Sequence, residues 1–212
     1  DGTASSIDAM AGYRALAAVG RSVVALLERG FEEQLPTGRR PSAVLAGTRD
    51  FDLVNSSPSA VIRYPAVSLY CYRLAVDRET RPGWSSVASR DGVPRLPLRM
   101  HLLLTAWDEF AESELEWIGL AARILESNSV LTGPLLDPSG DWRSGDGIQL
   151  VSDEIALDSM SEAFQALTAD YRLCLPYVAR VIVLEGSAQD VAERVTTVAG
   201  RLDKDLLAKG SR

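Results

Sequence analysis

The chain has 212 residues, 46% of them hydrophobic, which is enough to bury a core and too many for an intrinsically disordered segment. That length suits one domain, or one domain with an attached arm. A formal net charge of -7 argues against nucleic acid and anionic membranes as partners, because both recruit clustered Lys and Arg.

In chain order, residues 6–30 read as a helix. Ser6 is placed to cap it, and Asp8 lies in the first turn, where the helix dipole favours negative charge. Leu16, Val19, Val23, Leu26 and Leu27 recur on one face, and Gly30 is the expected stop. Breakers fill residues 34–41, Ser42–Ala46 reads as a short strand, and residues 55–59 are loop by composition. Ala66–Val76 reads as a strand, with Val67, Leu69, Cys71 and Arg73 on one face and Ser68, Tyr70, Tyr72 and Leu74 on the other. Both faces are largely apolar, which predicts a central position.

A long loop, residues 77–93, follows with Arg78, Arg81, Trp84 and Arg90. Arg and Trp are over-represented at interface hot spots, and long loops of this kind are often functional. Residues 96–107 then form a second long strand, with Leu96, Leu98, Met100, Leu102 and Leu104 on one face. Asp108 is expected to cap a helix running to Ser127, with Phe110, Trp117, Ile118, Ala121 and Leu125 as its buried stripe and Glu114 at the edge. Residues 131–147 are turn-rich, 148–155 read as a strand, 159–169 as a short helix and 173–184 as a strand. Pro176 marks an edge or a bulge in that last strand, since proline cannot donate to a ladder. The two long strands are linked by a loop and not by a crossover helix. This favours antiparallel pairing in an α+β domain, a mostly antiparallel sheet flanked by helices.

Residues 1–186 are read as this domain and 187–212 as an arm. Val191, Val195, Val198, Leu202 and Leu206 lie at helical spacing, whereas the β-branched run Val195-Thr196-Thr197-Val198 suits an extended strand.

Little in the chain looks catalytic. His101 is the only histidine, set between Met100 and Leu102, with no nucleophile-elbow motif beside it. Glu109, Glu112 and Glu116 share a helical face, which reads as a solvated face near a helix start. A small hydrolase or metal-dependent enzyme using His101 and this acidic helix is the alternative function. Cys71 and Cys174 each sit in an apolar run and read as buried free thiols. The two cysteines and one histidine have no metal-ligand spacing, so no metal or cofactor is expected. No apolar run approaches the ~20 residues that span a bilayer. With no signal-like pattern after Asp1, synthesis and retention in the cytoplasm is the expectation.

Three segments together resemble a known family. They are residues 64–73 (Tyr-Pro-Ala-Val-Ser-Leu-Tyr-Cys-Tyr-Arg), residues 96–107 ending in Thr105-Ala106-Trp107 with an acidic helix behind, and residues 171–180 containing Pro176-Tyr177. In this order and spacing they are similar to the N-terminal domain of the cap, or tail-terminator, proteins of extracellular contractile injection systems. The antifeeding prophage and the Photorhabdus virulence cassettes are among those systems. In that family the helix after Thr-Ala-Trp commonly carries a His, where this chain reads Glu112-Ser113-Glu114-Leu115-Glu116. The resemblance implies a tail-terminator-like fold and a non-enzymatic structural role. It implies a homo-oligomeric ring, a hexamer, on the end of an inner tube and contractile sheath, assembled in the cytoplasm into a particle that can be released. It also implies an extended stretch at residues 190–198. Arg78, Arg81, Trp84, Arg90, Val191, Val195 and Val198 are the candidate contact residues.

Overall fold

The computed structural model describes residues 12–78, 93–156 and 172–186. Within them, six strands form one sheet: β1 (Ser42–Ala46), β2 (Ala66–Val76), β3 (Arg95–Trp107), β4 (Val130–Thr132), β5 (Gly147–Ser152) and β6 (Cys174–Glu185). Their order across the sheet is β1-β2-β3-β6-β5-β4. The helices are α1 (Ala15–Gln34), α2 (Thr48–Asp52) and α3 (Ala111–Ser127). The domain is α+β and its sheet is mostly antiparallel, as the alternation predicts. The exception is β1, which runs parallel to β2 from Ser42↔Ala66 to Ala46↔Tyr70. A tight hairpin cannot make such a pair, and residues 47–65, including α2, supply the crossover.

The core lies between α1, α3 and one face of the sheet, where Val67, Leu69, Leu102, Leu104, Tyr177 and Ile148 are buried. From α1 come Val19, Val23, Leu26, Leu27 and Phe31; Leu16 is half-buried. Full burial of such side chains contributes about 1.5–3 kcal/mol each. Gly30 does not end α1. It is buried within the helix, and a Cβ there would sit 2.6 Å from Ile124 Cδ1. Glycine is required for the close approach of α1 to α3, and α1 instead ends at Gln34, where the Leu35 amide bonds to the Phe31 carbonyl. On α3 the buried residues are Trp117, Ala121, Ile124 and Leu125. Phe110 is not in this stripe: it occupies the N-cap in an extended conformation and is 62% exposed.

Two strand irregularities change what the alternation predicts. A bulge between Cys71 and Arg73 leaves Tyr72 without an opposite residue on β3, so that Arg73 pairs with His101 and Leu74 with Met100. The extra residue inverts the pattern beyond it. Arg73 therefore joins the face of Tyr70, and Leu74 joins the face of Cys71. Pro176 lies in an interior strand, between β3 and β5, yet it sits where β5 gives out. The last β5 pair is Ser152↔Tyr177, and the Asp153 amide donates to the Pro176 carbonyl at 3.0 Å. A residue's carbonyl and nitrogen face the same side of a strand, so the missing N–H points where no further ladder bond is needed. Pro97 on β3 is placed alike: the Asp77 amide, just past β2, donates to its carbonyl at 3.0 Å.

Several smaller elements escape the sequence. The five-residue α2 places Phe51 against Tyr70 and Trp107, at ring distances of 5.2 and 5.8 Å, in a second cluster on the other face of the sheet. β4 and two 3-10 turns, Gly133–Leu135 and Pro138–Gly140, lie in the turn-rich stretch. β5 stops at Ser152 rather than Ile155. The helix start at Ser6, the helix over 159–169 and the arm 187–212 lie outside the described residues.

Candidate interaction surface

Both segments marked in the sequence for contacts leave the sheet at one end. The connection between β2 and β3 begins at Asp77 and returns through Pro94, while the arm departs after β6. Their roots touch. The Gly186 amide donates to the Pro94 carbonyl at 2.8 Å, and Arg95 Nε donates to Glu185 Oε1 at 2.5 Å. Arg143, between β4 and β5, donates to the same carboxylate oxygen. Asp77 is held in turn by Arg99 at 2.9 Å. The Glu185 side chain is 7% exposed, so this cluster is an interior anchor. Ion pairs of this kind add little net stability, but removing one partner leaves a buried charge and is costly. Of the candidate contact residues, Arg78 is described and stands exposed just past β2. Arg81, Trp84, Arg90, Val191, Val195 and Val198 lie outside the described residues.

One feature of the surface was missed in the sequence. The last β1–β2 pair is Ala46↔Tyr70, whereas β2 runs on to Val76. From Cys71 onward the outer edge of β2 has no neighbouring strand among the described residues. The Asp77 amide faces β3, so alternation turns the backbone groups of Val76 and Leu74 toward the open side. A groove of about 550 Å³ lies along this edge, lined by Leu16, Ala17, Leu45, Cys71, Leu74 and Met100. Leu74 is 50% and Leu45 39% exposed, so two large apolar side chains border this groove together. The signal was the mismatch in length between the two strands read from the sequence, five residues against eleven.

The groups of the enzymatic alternative stand apart. His101 pairs with Arg73 and Val178 across the sheet, on the face opposite the one α1 and α3 cover. Its Nδ1 is 3.3 Å from Asp153 Oδ2, and its ring meets the Tyr72 ring edge-on at 5.9 Å. The acidic residues belong to α3 and its approach: Glu109, Glu112 and Glu116 are exposed, and Glu114 accepts from Arg172 at 3.0 Å. The sheet thus separates His101 from α3. Neither Cys71 nor Cys174 is in a disulfide, and both are half-buried rather than fully buried. Burial pushes both thiols up, Cys174 to about 11, opposite to the lowered value of a reactive thiolate. Among the described residues no group of three His, Cys, Asp or Glu side chains could hold a metal ion.

At the far end of the sheet, Asp108 carries β3 into α3. Its Oδ1 accepts from the amides of Glu109 (2.7 Å) and Phe110 (3.3 Å) and from Arg39 (3.0 Å), and its Oδ2 accepts from Trp117 Nε1 (2.8 Å). Asp108 thus ties down the approach to α3 instead of capping its first turn, because the N-cap position is Phe110. Burial alone would raise its pKa, but the donors from Trp117, the two amides and Arg39 outweigh it and hold the carboxyl below its ordinary value.

The fold is shared with the sheath/tube terminator of an extracellular contractile injection system, PVC, in its extended state. The two superpose with a TM-score of 0.53 at 19% identity over 89% of this chain and 63% of that one. The tube-terminating cap of the anti-feeding prophage aligns with a TM-score of 0.48 at 19% identity, over 86% of this chain and 58% of that one. The chain therefore spans about three fifths of the length of either terminator. No curated protein sequence matches it significantly. The family model described as the Pvc16 N-terminal domain matches residues 18–197, and the chain belongs to that family.

Proposed function

We propose that this chain is a structural cap that forms a ring on, and terminates, the inner tube and contractile sheath of a phage-tail-like injection particle. The family match across residues 18–197 carries the reading, and the fold shared with a sheath/tube terminator supports it. A terminator must bind the last of many repeating subunits without templating another, and exposed strand edges are what recruit further strands. Short outermost strands meet that requirement, and here β1 has five residues and β4 three. In this reading, the loop 77–93 and the arm after Gly186 make the ring and sheath contacts, and strand-edge pairing contributes to them. Their adjoining roots would let one docking event engage both. No bond is made or broken.

Particles assembled without the chain should show tubes and sheaths of uncontrolled length by electron microscopy, with normal length restored on adding it back. The isolated ring should weigh about 137 kDa, six copies of 22.9 kDa, by native mass spectrometry. Normal lengths without the chain would refute the reading. His101→Ala with Glu112→Ala should still assemble and restore length control. Failure of that folded double variant would favour the enzymatic alternative.

A further inference from the structure

We propose that the open outer edge of β2, residues 71–76, receives an extended segment of a partner protein in which apolar and acidic residues alternate. Three observations converge there. The backbone groups of Leu74 and Val76 face outward where β1 has ended, and among the described residues neither has a hydrogen bond across that side. An edge in this state is a template for one more strand, continuing the line of β1. The groove beside it is apolar on the helix-covered side, with Leu16, Leu45, Leu74 and Met100 available to one set of side chains. On the other side the bulge at Tyr72 turns Arg73 outward. Arg73 and, just beyond, Arg78 are exposed and have no ion-pair partner among the described residues. In a chain of net charge -7, two such arginines beside an open edge select an acidic neighbour. A strand laid along β2 turns alternate side chains to the two faces, so it would place apolar residues over Leu74 and carboxylates beside Arg73.

This inference deepens the cap reading by giving the chemistry of a strand that a terminator would accept. It is read with the purified full chain alone, so either can fail without the other. A fluorescent peptide of about ten residues alternating valine with aspartate should bind with a dissociation constant below about 1 mM, and its valine–lysine twin at least about tenfold more weakly. Arg73→Glu should reverse that preference. Leu74→Lys, which places a charge on a half-exposed site, should weaken the aspartate peptide about tenfold while leaving the thermal midpoint unchanged. In NMR hydrogen exchange, the amides of Leu74 and Val76 should exchange rapidly in the free chain and slowly with peptide. Equal binding of the two peptides, no binding of either, or insensitivity to both substitutions would overturn the proposal. Protection of those two amides without peptide would also overturn it, because the chain itself or a second copy would then already cover the edge.

Discussion

Replacing Gly30 by alanine should destabilise the protein, although alanine is the better helix former. In an open helix the exchange gains about 1 kcal/mol of propensity. At Gly30 the new Cβ would lie 2.6, 2.7 and 2.8 Å from three side-chain carbons of Ile124, all well inside contact distance. Ile124 is 5% exposed and belongs to the main core; a groove of about 440 Å³ adjoins it and Gly30, but three of its carbons, including the branched Cγ2, would have to move together. Overpacking of this kind costs about 1–3 kcal/mol, which leaves a net loss of about 1 kcal/mol. Gly119 is the control: it lies on the exposed side of α3, and a Cβ there meets nothing within 4 Å. Gly119→Ala should therefore show the propensity gain alone. In urea unfolding with an m-value of about 2 kcal/mol/M, the two variants should move the midpoint in opposite directions by roughly 0.5 M. Ile124→Ala removes all three clashing atoms, so it should cost about 2 kcal/mol less in the Gly30→Ala background than alone. A midpoint raised equally by both alanines, or a cycle without coupling, would refute the reasoning that Gly30 is there for the crossing of α1 and α3.

Two further predictions concern buried titrating groups. Asp108 has a side chain without exposure and a folded pKa below its ordinary value, so it contributes stability above the unfolded value near ~3.9 and loses it as the pH falls through the folded value. Asp108→Asn turns a donor amide toward Trp117 or Arg39 and should cost about 2–4 kcal/mol at neutral pH by urea unfolding; that gap should narrow below pH ~4, and a gap constant with pH would contradict the assignment. Tyr177, 2% exposed, donates to Glu126 at 3.2 Å, and burial first, then the Glu126 charge, pushes its hydroxyl up to about 12. Between the unfolded value near ~10 and that folded value the unfolded chain holds fewer protons, so stability falls as pH rises, by roughly 2–3 kcal/mol in full. Tyr177→Phe should lack this alkaline loss, and identical slopes for the two proteins above pH ~10 would exclude it.

In the proposed cap role, function rests on which surfaces the fold leaves unpaired rather than on any reactive group. The described part of the molecule is consistent with that division. Its buried polar clusters, Asp108 with Trp117 and Arg39 at one end and Glu185 with Arg95 and Arg143 at the other, hold the strand ends from which connections depart. Among its exposed groups, Leu74, Leu45, Arg73 and Arg78 lie along the β1–β2 side of the sheet.

Local pattern determined much of this protein. The strands β2, β3 and β6, the buried stripe of α1 and the Trp117, Ala121 and Leu125 part of the α3 stripe follow from side-chain period alone, because each element is long enough for its pattern to outweigh a single exception. The α+β class follows from their order. What only the tertiary structure decided are the places where one residue answers to a distant partner. Gly30 has the composition of a helix stop but serves a crossing, because Ile124 lies against it. Pro176 looks like an edge marker but sits in an interior strand, because β5 ends beside it. Tyr72 carries no local sign of a bulge, since the mismatch exists only against β3. The meeting of the loop and arm roots at Pro94 and Gly186 likewise depends on the pairing Arg95↔Glu185, ninety positions apart. Periodicity reports which face of an element is apolar, whereas pairing register and helix crossing are set by contacts between elements, and these are distributed over the whole chain.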